Sequence, residues 1–126
     1  MIGALVAGFL IAHGLLHPGV WSARLPTGTR TPFDAGQSWA FTAARISAPP
    51  TRATARALAW YTATLYLVAG AGAAASSDWW PGAAIVAASS GLALKAIWFH
   101  PWIAVGILFD VGVIVAVASH WPGSLY

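Results

Sequence analysis

A chain of 126 residues with 59% hydrophobic residues and only 7% Asp, Glu, Lys and Arg has too little interior to hide its apolar surface, whereas soluble domains carry roughly 25% charged residues. Its formal charge of +3 comes mainly from arginines gathered at 24, 30, 45, 52 and 56, with no lysine run and little aromatic interleaving, which reads as membrane topology and excludes nucleic-acid binding. The absence of cysteine excludes disulfides, thiolate metal sites and thiol redox chemistry.

The first apolar segment covers 2–17 and stops at Pro18-Gly19, with a kinked continuation to Trp21 as the alternative. Met1-Ile2-Gly3-Ala4 has no basic region, so this helix is expected to be retained and not cleaved as a signal. Residues 18–55 form a loop punctuated by Pro26, Gly28, Pro32, Pro49 and Pro50. Within it Asp34 is placed to cap a short interfacial helix over 34–47, whose apolar stripe is Trp39, Ala43 and Ile46; an irregular surface loop is the alternative. The second span is 56–75, ending in the small-residue run Ala69 to Ala75, which invites close helix packing. A Ser76-Ser77-Asp78 turn and Trp79-Trp80-Pro81 lead to a third span over 82–99. His100-Pro101 turns the chain into a fourth span, 102–119. The expected fold is an all-α integral membrane bundle of four transmembrane helices in one domain, 1–126, with a short interfacial helix in the first loop.

The arginines place that loop in the cytoplasm and both termini outside the cell inner (cytoplasmic) membrane. The tryptophans agree: Trp79, Trp80 and Trp121 mark the outer interface, and Trp21, Trp60, Trp98 and Trp102 the inner one. In this topology the ionisable residues share the cytoplasmic half. Lys95 lies about 8 Å deep and Asp110 about 14 Å deep by helical rise, on antiparallel neighbours. A carboxylate at the centre of a membrane helix costs about 2.5–3.5 kcal/mol, so Asp110 should point inward to a partner. Lys95 is one; Ser89, Ser90 and Thr64 are hydroxyl alternatives. Lys95 is also close enough to the inner headgroups to snorkel to them. His13 and His17 are four residues apart on one helix face, and His100 sits at the turn. His120 beside Trp121 reads as an outer-interface residue. Asp34, Gln37 and Arg30 are placed to line the mouth of such a site.

His13-Gly14-Leu15-Leu16-His17 has the HxxxH spacing that can hold zinc or iron, but diiron membrane enzymes need about twice as many histidines as the four present. No cofactor is expected; His13, His17 and His100 are where haem or a metal would sit, with His13 and His100 as the cross-helix pair. No nucleophile elbow, phosphate loop, dinucleotide fingerprint or HExxH is present.

The run Phe99-His100-Pro101-Trp102-Ile103-Ala104-Val105-Gly106-Ile107-Leu108-Phe109-Asp110, with Gly14-Leu15-Leu16-His17, resembles small bacterial four-span membrane proteins of unassigned function. In those a Trp/Phe-His-Pro-Trp turn is followed by Gly and then Asp or Asn in the last helix. The resemblance implies the four-span architecture and no activity. Small multidrug transporters would carry a first-helix glutamate, and this chain has none; the third-helix and arginine patterns of fluoride channels are also missing.

The expected function is binding or transport of a proton, ion or small amphipathic ligand at a polar, cytoplasm-facing intramembrane site of Asp110, Lys95, His100, His13 and His17. The alternatives are an accessory or structural subunit of a larger membrane complex, and an intramembrane enzyme acting on a lipid-like substrate, the latter less favoured for want of a motif. Expected partners are the lipid bilayer and either further copies of the chain or other membrane subunits.

Overall fold

The computed structural model describes residues 1–23 and 32–126; Arg24, Pro26, Gly28 and Arg30 of the arginine-bearing loop lie outside the described residues. Among the described residues the secondary structure is helical: α1 (Ile2–Ser22), α2 (Trp39–Ala43), α3 (Ala48–Ala74), α4 (Trp80–Ile97) and α5 (Ala104–Ala118), with 3-10 turns at Pro101–Ile103 and Gly123–Leu125. Four helical stretches, Ile2–Ser22, Ala48–Ala74, Trp80–Ile97 and Pro101–Ala118, are long and apolar enough to cross a membrane.

Proline behaves differently at the two places where the sequence expects a break. In α1 the helix runs through Pro18 to Ser22. Pro18 has no N–H for the carbonyl of Gly14, one turn back. The His17 ring supplies the missing donor: its Nδ1 lies 3.3 Å from the Gly14 carbonyl and 3.1 Å from that of His13. At Pro49-Pro50 the expected loop is instead the first turn of α3, which begins eight residues before the expected span. N–H groups in a first turn have no intrahelical partner, so proline costs nothing there.

The expected interfacial helix over 34–47 is reduced to five residues, and Ser38 is its N-cap. Asp34 is taken up elsewhere, accepting the Gly36 N–H at 2.8 Å in a local turn and Arg52 at 3.1 Å. Trp39, Ala43 and Ile46 are exposed and form no buried stripe. The loop is instead clipped to the end of α4. Ser38 Oγ donates to the Ile97 carbonyl (2.6 Å), the Trp39 indole to that of Ala96 (2.6 Å), and the Trp98 indole to that of Ala35 (2.9 Å). Two of the carbonyls left over at the α4 C-terminus are satisfied in this way.

The long helices pack in series, α1 on α3, α3 on α4 and α4 on α5. Each pair is antiparallel: Gly3 meets Ala73 and Gly14 meets Tyr66, Gly72 meets Trp79 while Thr62 meets Ser90, and Lys95 meets Gly106 while Gly91 meets Asp110. The inward stripes follow i, i+3, i+4 spacing: Ala7, Leu10, His13, His17 and Trp21 on α1; Ala55, Ala59, Thr62, Tyr66, Ala69 and Ala73 on α3; Trp80, Ala84, Ala87, Ala88, Gly91, Leu94 and Lys95 on α4. Small residues fill the interior, and many large apolar side chains face out, Leu5 being 69% and Leu108 70% exposed. Trp21, Trp80 and Trp98 are buried packing residues, whereas Trp60, Trp79, Trp102 and Trp121 are exposed. One apolar cluster surrounds Leu10, Tyr66, Trp80 and Val113, and a second surrounds Trp21, Leu94, Trp98 and Ile103.

Candidate functional site

Between the two apolar clusters lies a layer of buried polar side chains. Asp110 is its centre and is completely inaccessible. Its Oδ1 accepts from the Tyr66 hydroxyl at 2.6 Å and from His13 Nε2 at 2.8 Å; its Oδ2 accepts from Lys95 Nζ at 2.7 Å. Lys95 is 3% exposed, so it is folded into the bundle and does not snorkel outward. Its ammonium also donates to His17 Nε2 at 2.7 Å, with the Gly91 carbonyl at 3.5 Å.

The partners define the protons. His17 Nδ1 faces two carbonyls, which only accept, so Nδ1 carries the hydrogen and Nε2 accepts from lysine. His13 Nε2 faces a carboxylate, so it carries the hydrogen; in the neutral ring Nδ1 is then an acceptor. Three donors on Asp110 fit an ionised carboxylate, matched by the Lys95 ammonium, with the Tyr66 hydroxyl and the two imidazoles completing the group.

Glycine makes the room for it. A Cβ on Gly91 would fall 2.5 Å from Asp110 Oδ2, one on Gly106 2.6 Å from Lys95 Cε, and one on Gly14 2.5 Å from Tyr66 Cβ. Asp110, Lys95 and Tyr66 thus each cross a neighbouring helix where that helix has no side chain. Aromatic rings close the sides: Phe9 stacks on His13 at 5.8 Å, and Trp21 on His17 at 6.1 Å.

Of the five expected site residues, four converge. His100 does not: its Nδ1 accepts the Trp102 N–H at 3.1 Å, capping the 3-10 turn, and its ring faces Phe33. The cross-helix pairing of His13 with His100 is therefore not formed. None of the hydroxyl alternatives bonds Asp110: Ser90 pairs with Thr62 at 2.7 Å, Thr64 with the Trp60 carbonyl at 2.9 Å, and Ser89 is exposed. His120 packs on Tyr126. Asp34 and Gln37 line a separate polar cleft with Ser38, Phe99 and His100, away from the Asp110 group.

Tyr66 was not anticipated. The signal is present in the sequence: it stands eight residues, about 12 Å, inside the end of α3, on the stripe of Ala59, Thr62, Ala63, Ala69 and Ala73. A phenol that deep in an apolar helix needs a partner for its O–H.

His13, His17 and Asp110 offer ligand atoms that lie within 4.8 Å of one another. A metal there would have to displace the Lys95 ammonium, which already bonds both His17 and Asp110. Beside the group, a cleft of about 190 Å³ is lined by His13, His17 and Lys95 together with Trp21, Trp102 and Phe109. A scan against protein-family models and searches of curated proteins and of solved structures return no significant match to this chain.

Proposed function

We propose that this is a multi-pass protein of the cytoplasmic membrane that binds, and in the transport form of the reading carries, a small amphipathic ligand at the Asp110 group. Support for the membrane comes from the inverted distribution of size, with alanines inside and Leu5, Val105, Leu108 and Val115 outside, which suits a hydrocarbon solvent. Support for the orientation comes from Arg45, Arg52 and Arg56 near the α1–α3 connection, which the positive-inside bias would keep in the cytoplasm, with both termini outside.

The observation that carries the ligand reading is the placement of an ion pair against a cleft. Asp110 and Lys95 are buried at a depth where ionised groups are costly, and Lys95 with both imidazoles lines the adjoining cavity. The wall of that cavity is almost wholly apolar, with Lys95 and the two imidazoles set into it at the end nearest the Asp110 group, and a few polar groups in an apolar lining is the usual make-up of a small-molecule pocket. A structural role in an accessory subunit is the second reading. Its support is that Asp110 and Lys95 satisfy one another within the bundle.

The test uses wild type, Asp110→Asn and Lys95→Met purified in mild detergent, with helicity, monodispersity and binding of 1-oleoylglycerol measured on each. Saturable binding that weakens in the folded variants supports the site. Equal binding by folded variants, or none by wild type, overturns it. Loss of folding in both variants is met by the double variant, which removes the charges together; if it folds and still binds as wild type, the site reading fails.

A further inference from the structure

We propose that the seam between α1 and α5 is a lipid-chain site selecting an uncharged, hydroxyl-bearing single-chain lipid whose head group donates to His13; this rests on the ligand reading above. The serial packing of the helices leaves α1 and α5 without an extended contact. They meet through Phe9 and Phe109, with ring centres 5.9 Å apart. On one side of this pair lies the cleft beside the Asp110 group. On the other lies a groove of about 530 Å³ lined by Ile2, Leu5, Phe9, Leu108, Gly112 and Val117 among others. Phe109 lines both spaces. From Phe109 to Val117 the groove is about 12 Å long by helical rise, so it takes the head-proximal half of a long alkyl chain. Its lining is almost wholly apolar, so water is a poor occupant.

The head-group end is defined by what the site leaves unpaired. His13 is 4% exposed, and its Nδ1 has no hydrogen-bond partner among the described residues. Nδ1 is the acceptor left after Nε2 donates to Asp110. A hydroxyl would satisfy it; an ester or ether oxygen would not. The indole N–H of Trp21, lining the same cleft, also has no partner among the described residues, and it would take a carbonyl or a second hydroxyl oxygen.

Charge selects against ionic heads. Lys95 and Asp110 already neutralise one another, so a carboxylate or ammonium head would bring an unmatched charge into the buried layer. Chain fit has its own handle in Gly112, where an added Cβ meets nothing within 4 Å although the residue lines the groove.

The experiment measures binding of 1-oleoylglycerol, methyl oleate, oleate and oleylamine to the full chain in detergent by native mass spectrometry. The expected result is one saturable 1-oleoylglycerol per chain, with the other three at least about tenfold weaker, equivalent to about 1.4 kcal/mol. Gly112→Leu should weaken it about as much by filling the groove, and Gly8→Leu, exposed and outside the groove, should not. Equal binding of methyl oleate overturns the His13 hydrogen bond. Tighter oleate or oleylamine overturns neutral-head selection while leaving the amphiphile reading standing. An unchanged Gly112→Leu overturns the chain path. Binding of none of the four overturns both proposals. Should Gly112→Leu fail to fold, the four-probe ranking on wild type still decides the head-group claim.

Discussion

Replacing Lys95 by Met keeps the length of the stem and removes the ammonium. Asp110 would then keep Tyr66 and His13 as donors but lose its only counter-charge among the described residues. The ammonium–carboxylate bond at 2.7 Å is of the charge-assisted kind, worth about 1.5–3 kcal/mol. Stranding a buried carboxylate adds to that loss, and removing one partner of a buried pair typically costs about 3–5 kcal/mol. Lys95→Met is therefore expected to destabilise the chain by about 3–5 kcal/mol in reversible unfolding in mixed micelles. Asp110→Asn should be costly as well, because it strands the ammonium. The double variant should recover much of the loss, giving a coupling energy of at least about 2 kcal/mol, within the range for residues in one network. If the two single effects instead add to within about 0.5 kcal/mol, the behaviour of independent sites, the ion pair is not the organising contact of the polar layer and the reasoning fails.

Gly91→Ala should destabilise by about 1–3 kcal/mol, because its Cβ would fall 2.5 Å from the Asp110 carboxylate; Gly112→Ala, with open space around its Cβ, should be neutral or gain up to about 1 kcal/mol of helix propensity. Thermal unfolding in detergent compares the two, and equal losses would refute the steric account. Ser76 ends α3 with φ 51°, its N–H bonded to the Ala73 carbonyl and that of Ser77 to Gly72, so Ser76→Gly should stabilise by about 0.5–1 kcal/mol in the same assay. The Gly36 N–H, aided by Arg52, holds the Asp34 carboxyl below its ordinary value. The resulting stabilisation is present above the ordinary carboxylate value of about 3.9 and fades as pH falls through the lower folded one. Because Arg52 and Asp34 are 39% and 44% exposed, solvent screens the pair; Asp34→Asn should cost under about 1 kcal/mol at neutral pH. The variant and wild-type unfolding curves should converge in acid, and a constant gap would refute the assignment.

The four long apolar helices were legible because their composition leaves few alternatives, and the helical repeat put His13 beside His17 on one face. The convergence of Lys95 and Asp110 was legible as well, since an ionised group in an apolar helix must find a partner. The inward faces were harder to see, because in these helices both faces are apolar and the interior is marked by smallness. Gly91 and Gly106 look like any other glycine in the chain until the carboxylate and the lysine stem are seen crossing them. Tyr66 carries no charge to mark it in the sequence, and Trp21, Trp80 and Trp98, expected at the interfaces, are buried. His100 was drawn into the expected site by its place in the chain, although a residue before proline at a helix start is well placed to cap locally. In the loop proline is not only a breaker: Pro49 and Pro50 open a helix, and Ser38 takes the capping position expected of Asp34.

Pro18 reaches further than the helix it interrupts. By withholding one backbone N–H it leaves the Gly14 carbonyl to the His17 ring, which shares its Nδ1 hydrogen between that carbonyl and the closer one of His13 and so turns Nε2 toward Lys95. With Nε2 obliged to accept, the ammonium must donate to it, and the same ammonium donates to Asp110. The hydrogen bonds of the layer therefore have a single sense of direction, written by an imino acid that touches no charge. Pro18→Ala would return the backbone donor to the Gly14 carbonyl, leave the Nδ1 proton only the His13 carbonyl, and so loosen the hold on one tautomer of His17. Imidazole ¹⁵N shifts would register this as a change from one protonated nitrogen to an exchanging pair, with the long helices still in place.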